Sequence, residues 1–296
     1  MKVKRICAAC MLHRGIKEIE LATSDPEIGI RTIRKLLGFL SENFSSDAVS
    51  AILGTKRDRL IRKETCCDDP YEEKKKISND YALELLPSIR RILKGEQEGY
   101  SRFRKACLVA IVANSIEFDM LEHDQKFENF PDLIAKAEQD LEIDDIQSIY
   151  SMVKDAKRIL YLTDNAGEIV IDGLLIEEIK KLGPNIVAAV KEGPVLNDAL
   201  MKDAVIAKIP QIADRVITTG TDSVGLIISE SSKELKRYLE ESDLIISKGM
   251  GNYETISEEN LSSKCIAYLL RAKCSAVAED LGVKHGSNVA KLHCWK

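Results

Sequence analysis

Apolar positions follow two different rhythms on either side of residue 150. In the first half they recur every three or four residues, and Ile30, Ile33 and Leu37 share one helical face after the Asp25–Pro26 pair. An acidic residue followed by proline is a typical helix start. The pattern therefore predicts an all-helical N-terminal domain over residues 1–150, in which the acidic stretch at 138–148 is a helix or a connector.

In the second half, short apolar runs alternate with amphipathic stretches. Five runs rich in Ile, Val and Leu stand out: "RILYLT" (158–163), "NIVAAVK" (185–191), "RVITTG" (215–220), "DLIISKG" (243–249) and "CIAYLLRA" (265–272). Continuous apolar runs separated by helices are typical of parallel strands that are covered on both faces. We therefore predict an α/β fold, in which residues 151–296 form a parallel, Rossmann-like α/β/α sheet domain.

Composition excludes some partners. The chain has 296 residues, 45% of them hydrophobic and 31% charged, and acids and bases are interspersed to a net charge of −5. A nucleic-acid partner is not expected, because it would require a concentrated basic patch. A membrane partner is not expected either, since no apolar run approaches the roughly 18 residues of a membrane span and no signal peptide is evident. We expect a cytoplasmic protein; its oligomeric state is not indicated.

The chain contains eight cysteines, which in a cytoplasmic protein are usually reduced thiols or metal ligands. Abundant Lys and Glu would also suit a thermophile, for which this expectation is weaker. Cys7 and Cys10 form a C-x-x-C motif. A closed zinc site needs four ligands, and a second C-x-x-C is absent, so a structural role is favoured over a zinc site or a redox pair. No partner is evident for the other cysteines, among them the adjacent Cys66 and Cys67 and the later Cys265 and Cys294.

Polar residues follow the predicted strands at the edge where an open parallel sheet binds its ligands. Asp164 and Asn165 follow the first strand, Asp198 follows the second, and Lys248 closes the fourth, ahead of Gly249. Each has a simpler interpretation: an aspartate there is often a helix cap, and a strand-end lysine can extend its ammonium group to solvent. Their joint occurrence at one edge indicates a ligand site.

This set of side chains suits phosphoryl chemistry. Two carboxylates and an amide carbonyl are hard oxygen ligands, which favour Mg²⁺, Mn²⁺ or a similar divalent ion. A lysine beside the backbone N–H groups of a glycine turn favours an anion such as phosphate. A metal site next to a phosphate site indicates that the metal polarises a phosphoryl oxygen and activates water.

Several familiar enzyme motifs are missing. No G-x-G-x-x-G follows the first strand, and neither G-x-x-x-x-G-K-[ST] nor G-x-S-x-G occurs. A haloacid-dehalogenase-type phosphatase has a second aspartate two residues after the first, where "DNAGE" has Ala166. A dinucleotide site, a P-loop, a serine hydrolase and an aspartyl-phosphate mechanism are therefore not expected.

Several segments, in order, resemble the damage-control phosphatase family, once called domain of unknown function 89. They are "LTDNAGE", "GPVLNDA", "KGMGNYE" and "LLRAKCSAVAEDLGVKHGSNV", with "CAAC", "DPYEEKKKISN" and "ANSIEFD" resembling its CxxC-bearing archaeal and prokaryotic branch. The resemblance implies a helical domain before an α/β/α domain, and a divalent Mn²⁺, Ni²⁺, Co²⁺ or Mg²⁺ ion. It also implies hydrolysis of small phosphorylated metabolites, either sugar phosphates or phosphopantetheine and its damaged forms.

The family's site residues correspond to positions in this chain. Its metal ligands correspond to Asp164, Asn165 and Asp198, and its phosphate-contacting lysine corresponds to Lys248. We expect the backbone around the fourth strand end to help hold the phosphate and a carboxylate to orient the attacking water. The residues involved are Gly249, Gly251, Asn252 and Tyr253 for the substrate, and Asp203 or Glu168 for the water.

Two other functions stay open. One is an S-adenosylmethionine-dependent carboxyl methyltransferase, an activity proposed for a eukaryotic branch of the family, although this chain lacks the glycine-rich turn of a usual methyltransferase. The other is a protein that binds a phosphorylated metabolite without turning it over. Release of inorganic phosphate without S-adenosylmethionine distinguishes the phosphatase from both.

Overall fold

The computed structural model describes residues 1–115, 130–261 and 264–295, so the end of the "ANSIEFD" segment lies outside the described residues. The described helices are α1 (Arg5–Ala22), α2 (Pro26–Asn43), α3 (Ser50–Thr65), α4 (Glu72–Gly95), α5 (Tyr100–Ala113), α6 (Phe130–Lys136), α7 (Ile146–Asp155), α8 (Glu168–Lys180), α9 (Met201–Ile206), α10 (Lys233–Glu241), α11 (Gly249–Ile256) and α12 (Ser275–Leu281). None of them is both long and apolar enough to cross a membrane.

Seven strands form one sheet in the described part of the chain. They are β1 (Leu141–Asp144), β2 (Arg158–Leu162), β3 (Asn185–Val190), β4 (Arg215–Thr218), β5 (Leu244–Lys248), β6 (Cys265–Arg271) and β7 (Asn288–Cys294). Their order is β1-β7-β6-β5-β2-β3-β4, and only the β6–β7 pairing is antiparallel. The predicted α/β class and the five predicted strands, β2 to β6, are confirmed.

Two strands were not predicted. The expectation that residues 138–148 form a helix or a connector is wrong for β1, whose residues are alternately half-buried and exposed and which pairs with β7 at the sheet edge. A strand this short and polar gives no apolar run to detect. The division into domains at residue 150 stays a prediction; that residue lies inside α7, and β1 before it joins the sheet.

Alternate side chains of each strand pack against the helices on opposite faces of the sheet. Along β2, Ile159 and Tyr161 pack into the core beneath α5, α7 and α8, whereas Leu160 and Leu162 pack into the core beneath α10 to α12. Successive strand residues point to opposite faces, so a strand that is covered on both sides must be apolar throughout. This is why β2 reads as a continuous apolar run.

The first three helices pack around a small core of their own, formed by Ile19, Leu36 and Ile61. The predicted start of α2 is confirmed: Asp25 Oδ1 accepts hydrogen bonds from the backbone N–H groups of Glu27 (2.8 Å) and Ile28 (3.3 Å), which the helix itself leaves unpaired.

Helix α3 lies against the edge of the sheet at which the parallel strands end. Thr55 Oγ1 accepts a hydrogen bond from the backbone N–H of Val224 at 2.9 Å, and Arg59 Nη2 lies 2.6 Å from Asp222 Oδ1. Both partners belong to the loop after β4. Helix α3 therefore lies over the carboxyl ends of the strands. Helix α1 packs against it, with Arg57 Nη1 donating to Met11 Sδ at 3.7 Å, and the two helices are named here the roof.

A disulfide joins Cys265 to Cys294, which face each other in the antiparallel register of β6 and β7. The expectation that all cysteines are thiols or metal ligands is wrong for this pair. The two residues meet only because β7 runs back along β6, and that pairing was not predicted.

Candidate functional site

The site lies where the strand order reverses. From β2 the chain proceeds to β3 and β4 on one side, while β5 and β6 lie on the other, so a crevice opens beyond the ends of β2 and β5. The two loops touch there. Gly249 has φ +74°, and a Cβ atom at this position would lie 1.9 Å from Asp164 Oδ2. Only glycine fits so close an approach with this backbone conformation.

Backbone pairing brings the three predicted metal ligands together. Asn165 and Asp198 form an isolated antiparallel bridge, and the backbone N–H of Ala199 donates to the carbonyl of Asp164 at 2.8 Å. The side chains of Asp164, Asn165 and Asp198 are buried, with 8%, 4% and 5% exposure. The loops after β2 and β3 thus hold them at one place.

The donor atoms fit a hard divalent cation. Asn165 Nδ2 donates to Asp164 Oδ2 (2.8 Å) and to Glu168 Oε2 (3.1 Å), which leaves the amide oxygen to face an ion. Together with the carboxylates of Asp164 and Asp198 it makes an all-oxygen set, as Mg²⁺ and Mn²⁺ prefer. The set contains two carboxylates and one amide. Within the described residues, no group of three or more His, Cys, Asp or Glu side chains is placed to hold a metal, elsewhere or here.

Asn114, which the sequence analysis did not single out, orients this set. It follows α5, and its Nδ2 donates to Asp164 Oδ2 at 2.9 Å and to Glu168 Oε2 at 2.7 Å. A polar residue that fixes a ligand carboxylate from behind typically tunes a metal site. Only the packing of α5 on α8 brings Asn114 here, so its position alone in the sequence gives little sign of this role.

Lys248 lies beneath the crevice instead of lining it. Its ammonium group is fully buried and donates to Glu168 Oε1 (2.5 Å), Asp172 Oδ1 (2.7 Å) and the carbonyl of Ala110 (3.0 Å). Strand alternation explains this: Lys248 shares the face of Ile246, which packs into the core beneath α5 and α8. Lys248 therefore reaches the predicted metal ligands only through Glu168.

The buried carboxylates keep Lys248 charged. Although burial lowers the pKa of this lysine, the charges of Asp172 and Glu168 more than offset the effect and raise it. Burial raises the pKa of the Asp172 carboxyl to about 7, against the opposing influence of Lys248. Two acids and one base thus form a closed ionic cluster below the crevice floor.

Asp203 and Glu168, the predicted water-orienting acids, are both engaged by protein groups. Asp203 accepts hydrogen bonds from Asn79 Nδ2 (2.7 Å) and from the backbone N–H of Leu200 (2.8 Å). Asn79 in turn accepts from the backbone N–H of Gly167 at 2.7 Å. Asp203 thereby ties α4 to the loops that carry the metal ligands, and Glu168 ties Asn165 to Lys248.

A cavity of about 90 Å³ lies between the roof and the crevice. This is room for several water molecules. The lining residues are Met1, Ile6, Cys7, Cys10, Met11, Arg14, Ser50, Ala51, Gly54, Arg57, Asp164, Asn165, Leu196, Asp198, Val224, Met250, Gly251, Glu254, Lys273 and Cys274. All three predicted metal ligands therefore line one cavity.

Of the residues predicted to hold the substrate, Gly251 lines this cavity. Asn252 Nδ2 instead donates to the carbonyls of Thr163 and Lys248, at 3.1 and 2.9 Å, and so joins the ends of β2 and β5. The Tyr253 hydroxyl donates to Asp280 Oδ2 at 2.7 Å. These two side chains support the crevice from outside the cavity.

Lys273 is a basic side chain at the crevice that sequence reasoning missed; Arg14 and Arg57 also line the cavity, and Lys191 Nζ lies 3.5 Å from Asp198 Oδ2. Lys273 follows β6, lines the cavity, and donates through Nζ to the backbone carbonyl of Asn114. The rule that selected the other residues, a polar residue just after a strand, would have found it. Cys7 and Cys10 also line the cavity, so the C-x-x-C motif of α1 lies at the site.

Comparison with known proteins shows which family the chain resembles over its length. Residues 3–289 match the family model of the damage-control phosphatase ARMT1-like domain. A damage-control phosphatase of Archaeoglobus fulgidus is 37% identical over 293 residues, 99% of each chain. Another, from Pyrococcus horikoshii, is 35% identical over 297 residues, the whole of both chains.

A solved structure extends the likeness to the fold. The crystal structure of a DUF89 family protein from Pyrococcus horikoshii superposes with a TM-score of 0.85 at 34% identity, over 98% of both chains. The family model and both relatives cover nearly the whole chain, including the loops after β2, β3, β5 and β6. The protein therefore belongs to the damage-control phosphatase ARMT1-like family, also known as DUF89.

Proposed function

We propose that the protein is a divalent-metal-dependent phosphatase that hydrolyses a small phosphorylated metabolite. The observation that carries this proposal is the convergence of Asp164, Asn165 and Asp198 in one cavity that Lys273 also lines. Membership of a phosphatase family and an all-oxygen donor set support it together.

Asp164, Asn165 and Asp198 would hold the ion. When bound there, Mn²⁺, Ni²⁺, Co²⁺ or Mg²⁺ supplies Lewis-acid polarisation of a phosphoryl oxygen and lowers the pKa of a coordinated water. Asn114 and Glu168 keep the ligand side chains in place, because both bond to them directly. These contacts pre-organise the donor atoms before an ion arrives.

Lys273 and the first turn of α11 would hold the phosphate. Lys273 and Gly251 both line the cavity, and α11 begins at Gly249, directly after β5. The unpaired N–H groups at a helix start favour an anion. Lys248, Glu168 and Asp203 would then act through the residues they position, because all three are already engaged by neighbouring protein groups.

The proposed reaction is hydrolysis of a phosphomonoester. The oxygen of water forms a bond to phosphorus, the bond from phosphorus to the ester oxygen breaks, and the leaving oxygen takes up a proton. The products are an alcohol and inorganic phosphate. Asp164 and Asp198 are buried, which strengthens the electrostatic interactions of their carboxylates.

The test is phosphate release from a panel of sugar phosphates and phosphopantetheine, without S-adenosylmethionine. We expect chelation to abolish release and Mn²⁺, Co²⁺ or Ni²⁺ to restore it. Undiminished turnover by protein that elemental analysis finds metal-free would contradict metal dependence. Methyl transfer that needs S-adenosylmethionine would support the methyltransferase instead, and tight metabolite binding without turnover would support a binding protein.

A further inference from the structure

Two arginines of the roof line the cavity. Arg14 lies on α1 and Arg57 lies on α3. A Cβ atom at Gly15, the residue after Arg14, would lie 3.2 Å from Arg57 Cδ, so the Arg57 side chain passes directly beside the backbone that carries Arg14. The proposed metal and phosphate sites use neither of these guanidinium groups.

The Arg57 side of the roof lies across the crevice from Lys273. Asp58, the neighbour of Arg57, accepts a hydrogen bond from the backbone N–H of Leu196 at 3.4 Å, and Leu196 belongs to the loop after β3. Lys273 follows β6, and three strand spacings, about 14 Å in all, separate β6 from β3. A ligand group held by Arg57 would therefore lie apart from a phosphate held by Lys273.

Both roof helices carry their arginine away from β6 and α11. Helix α1 begins beside α12, where Lys4 Nζ donates to Glu279 Oε1 at 3.0 Å, and Arg14 lies about 15 Å further along it. On α3, the Ser50 hydroxyl donates to a side chain of α11, and Arg57 lies about 10 Å further along. The two helices thus bring their guanidinium groups to the same end of the cavity.

Arg57 is buried and incompletely paired. It is 1% exposed, and no protein group in the described part of the chain accepts a hydrogen bond from its Nη2. Its Nη1 donates to Met11 Sδ at 3.7 Å, and a thioether sulfur is a weak acceptor. A buried donor without a good acceptor is unfavourable, so both terminal nitrogens favour a ligand that brings oxygen atoms.

Glu18, the acid nearest Arg57 Nε in the roof ion pair, does not satisfy this guanidinium. Its Oε2 lies 3.5 Å from Arg57 Nε, beyond the usual length of a hydrogen bond. Burial, and next the charge of Asp58, raise the pKa of the Glu18 carboxyl well above its usual value, which weakens its negative charge. Glu18 therefore balances the charge of Arg57 only in part.

We propose that Arg57, with Arg14 beside it, is a second anion subsite, which binds a carboxylate at the end of the substrate remote from its phosphate. This inference rests on the proposed function for the position of the phosphate, and it makes the substrate a phosphomonoester of a hydroxycarboxylic acid. The planar guanidinium fork matches the two oxygens of a carboxylate. A carboxylate is also smaller than a second phosphate, which suits a cavity of about 90 Å³.

The first test compares ω-phosphooxyalkanoates with n-alkyl phosphates of the same chain length. Each pair differs only in whether the last carbon is a carboxylate or a methyl group. With Mn²⁺ present, we expect kcat/KM to be about 10–100-fold higher for the carboxylate at the best-fitting length, the scale of a hydrogen bond to a charged group. No preference at any length would overturn the inference, and so would a stronger preference for the matching α,ω-bisphosphates.

Variants assign the preference to Arg57. Because removal of Arg57 alone would leave Glu18 buried without its partner, the main variant is Glu18→Gln/Arg57→Gln, which removes both charges. It should lower kcat/KM for the carboxylate ester far more than for the alkyl phosphate, so that the preference disappears. The matched control is Arg90→Gln/Glu177→Gln, which removes an arginine–glutamate pair between α4 and α8 and should keep the preference.

Two results with the folded double variant would overturn the assignment. One is an unchanged preference for the carboxylate ester. The other is an equal loss of kcat/KM for both esters, which would mean that Arg57 contacts the phosphate itself. The single variant Arg57→Lys should restore only part of the preference, because a point charge lacks the two parallel donors of a guanidinium.

A binding measurement separates this inference from the phosphatase proposal. ω-Phosphonoalkanoates cannot be hydrolysed, and in calorimetry with Mn²⁺ they should bind about tenfold or more tightly than alkylphosphonates of the same length. This difference should vanish in Glu18→Gln/Arg57→Gln. If both results hold but no phosphomonoester is hydrolysed, the phosphatase proposal fails and the subsite stands. If the wild type binds both phosphonates equally or not at all, the subsite is wrong, even where phosphate release is observed.

Discussion

Two lysines at the ends of neighbouring strands differ in what surrounds them. Lys248 ends β5 and Lys273 follows β6, and both are nearly inaccessible to solvent, at 0% and 3% exposure. Lys248 lies between the carboxylates of Glu168 and Asp172, whereas Lys273 lines the cavity and bonds to a backbone carbonyl. Burial alone therefore does not distinguish a lysine with a structural role from a lysine that can contact a substrate. The neighbouring groups make that distinction.

The largest expected effect lies at Asp164, which follows β2 and lines the cavity. Asp164→Asn removes one negative charge from the predicted metal set while keeping the shape of the side chain. We expect it to lower kcat/KM by at least about 10³-fold, because several kcal/mol of metal-derived stabilisation of the transition state would be lost. Phosphate release with saturating Mn²⁺ measures this, and near wild-type turnover would mean that the ion, if any, binds elsewhere.

Lys273→Ala should cause the second-largest loss of kcat/KM. Removal of one oriented donor to developing charge typically costs about 10²–10³-fold, so we expect a loss of that order in kcat/KM. The midpoint of urea unfolding should change little, and metal binding should persist. Lys273→Arg should not restore full activity, because a guanidinium group does not reproduce a point charge. Wild-type kinetics for Lys273→Ala would remove this lysine from the site.

Lys248→Ala should lower stability more than it lowers activity, the opposite of Lys273→Ala. Breaking a buried ion pair by removing one partner costs about 3–5 kcal/mol, so the free energy of unfolding should fall markedly. The remaining effect on kcat/KM should be about 10–100-fold, the scale for residues that position metal ligands. If the folded variant were as stable as wild type and lost activity as fully as Lys273→Ala, Lys248 would contact the phosphate, as the sequence analysis predicts.

The last expected effect is a pH dependence of the free energy of unfolding, which arises from Asp172 beside Lys248. The pKa of Asp172 is raised from 3.8 to about 7 in the folded protein, chiefly by burial. Between these two pH values the unfolded chain has released the proton and the folded chain still holds it. The contribution of Asp172 to stability is therefore lost progressively as pH rises from 3.8 to about 7.

Urea unfolding of wild type and Asp172→Asn at several pH values in that window measures this contribution. The wild type should lose stability relative to the variant as pH rises, because asparagine does not titrate. A difference between the two proteins that stays constant with pH would show that Asp172 has an ordinary pKa in the folded protein.

Much of the fold follows from the local pattern of apolar residues, and the rest depends on which strands pair. The runs that became β2 to β6 are apolar throughout because both faces of the sheet are covered. The edge strand β1 has no such run, and β7 ends in exposed residues, so neither gave a clear apolar signal. The disulfide from Cys265 to Cys294 depends on that unpredicted pairing.

Some residues of the candidate site could also be predicted from local sequence, whereas others depend on tertiary packing. Asp164, Asn165 and Asp198 could be found because each follows a strand, and the edge of a parallel sheet gathers such residues. Asn114 and Asn79 come from helices far away in sequence, and only tertiary packing brings them in. The position of Lys248 could have been inferred from strand alternation, because it shares a face with the core residues Leu244 and Ile246.

The central claim is that one divalent ion at Asp164, Asn165 and Asp198 makes this protein a phosphatase. The most direct test titrates metal-free protein with Mn²⁺ and follows calorimetric binding and phosphate release in parallel. We predict that activity rises from zero with the filling of one site per chain, and that Asp164→Asn abolishes both signals. Phosphate release by the metal-free protein, or full activity in Asp164→Asn, would contradict the account.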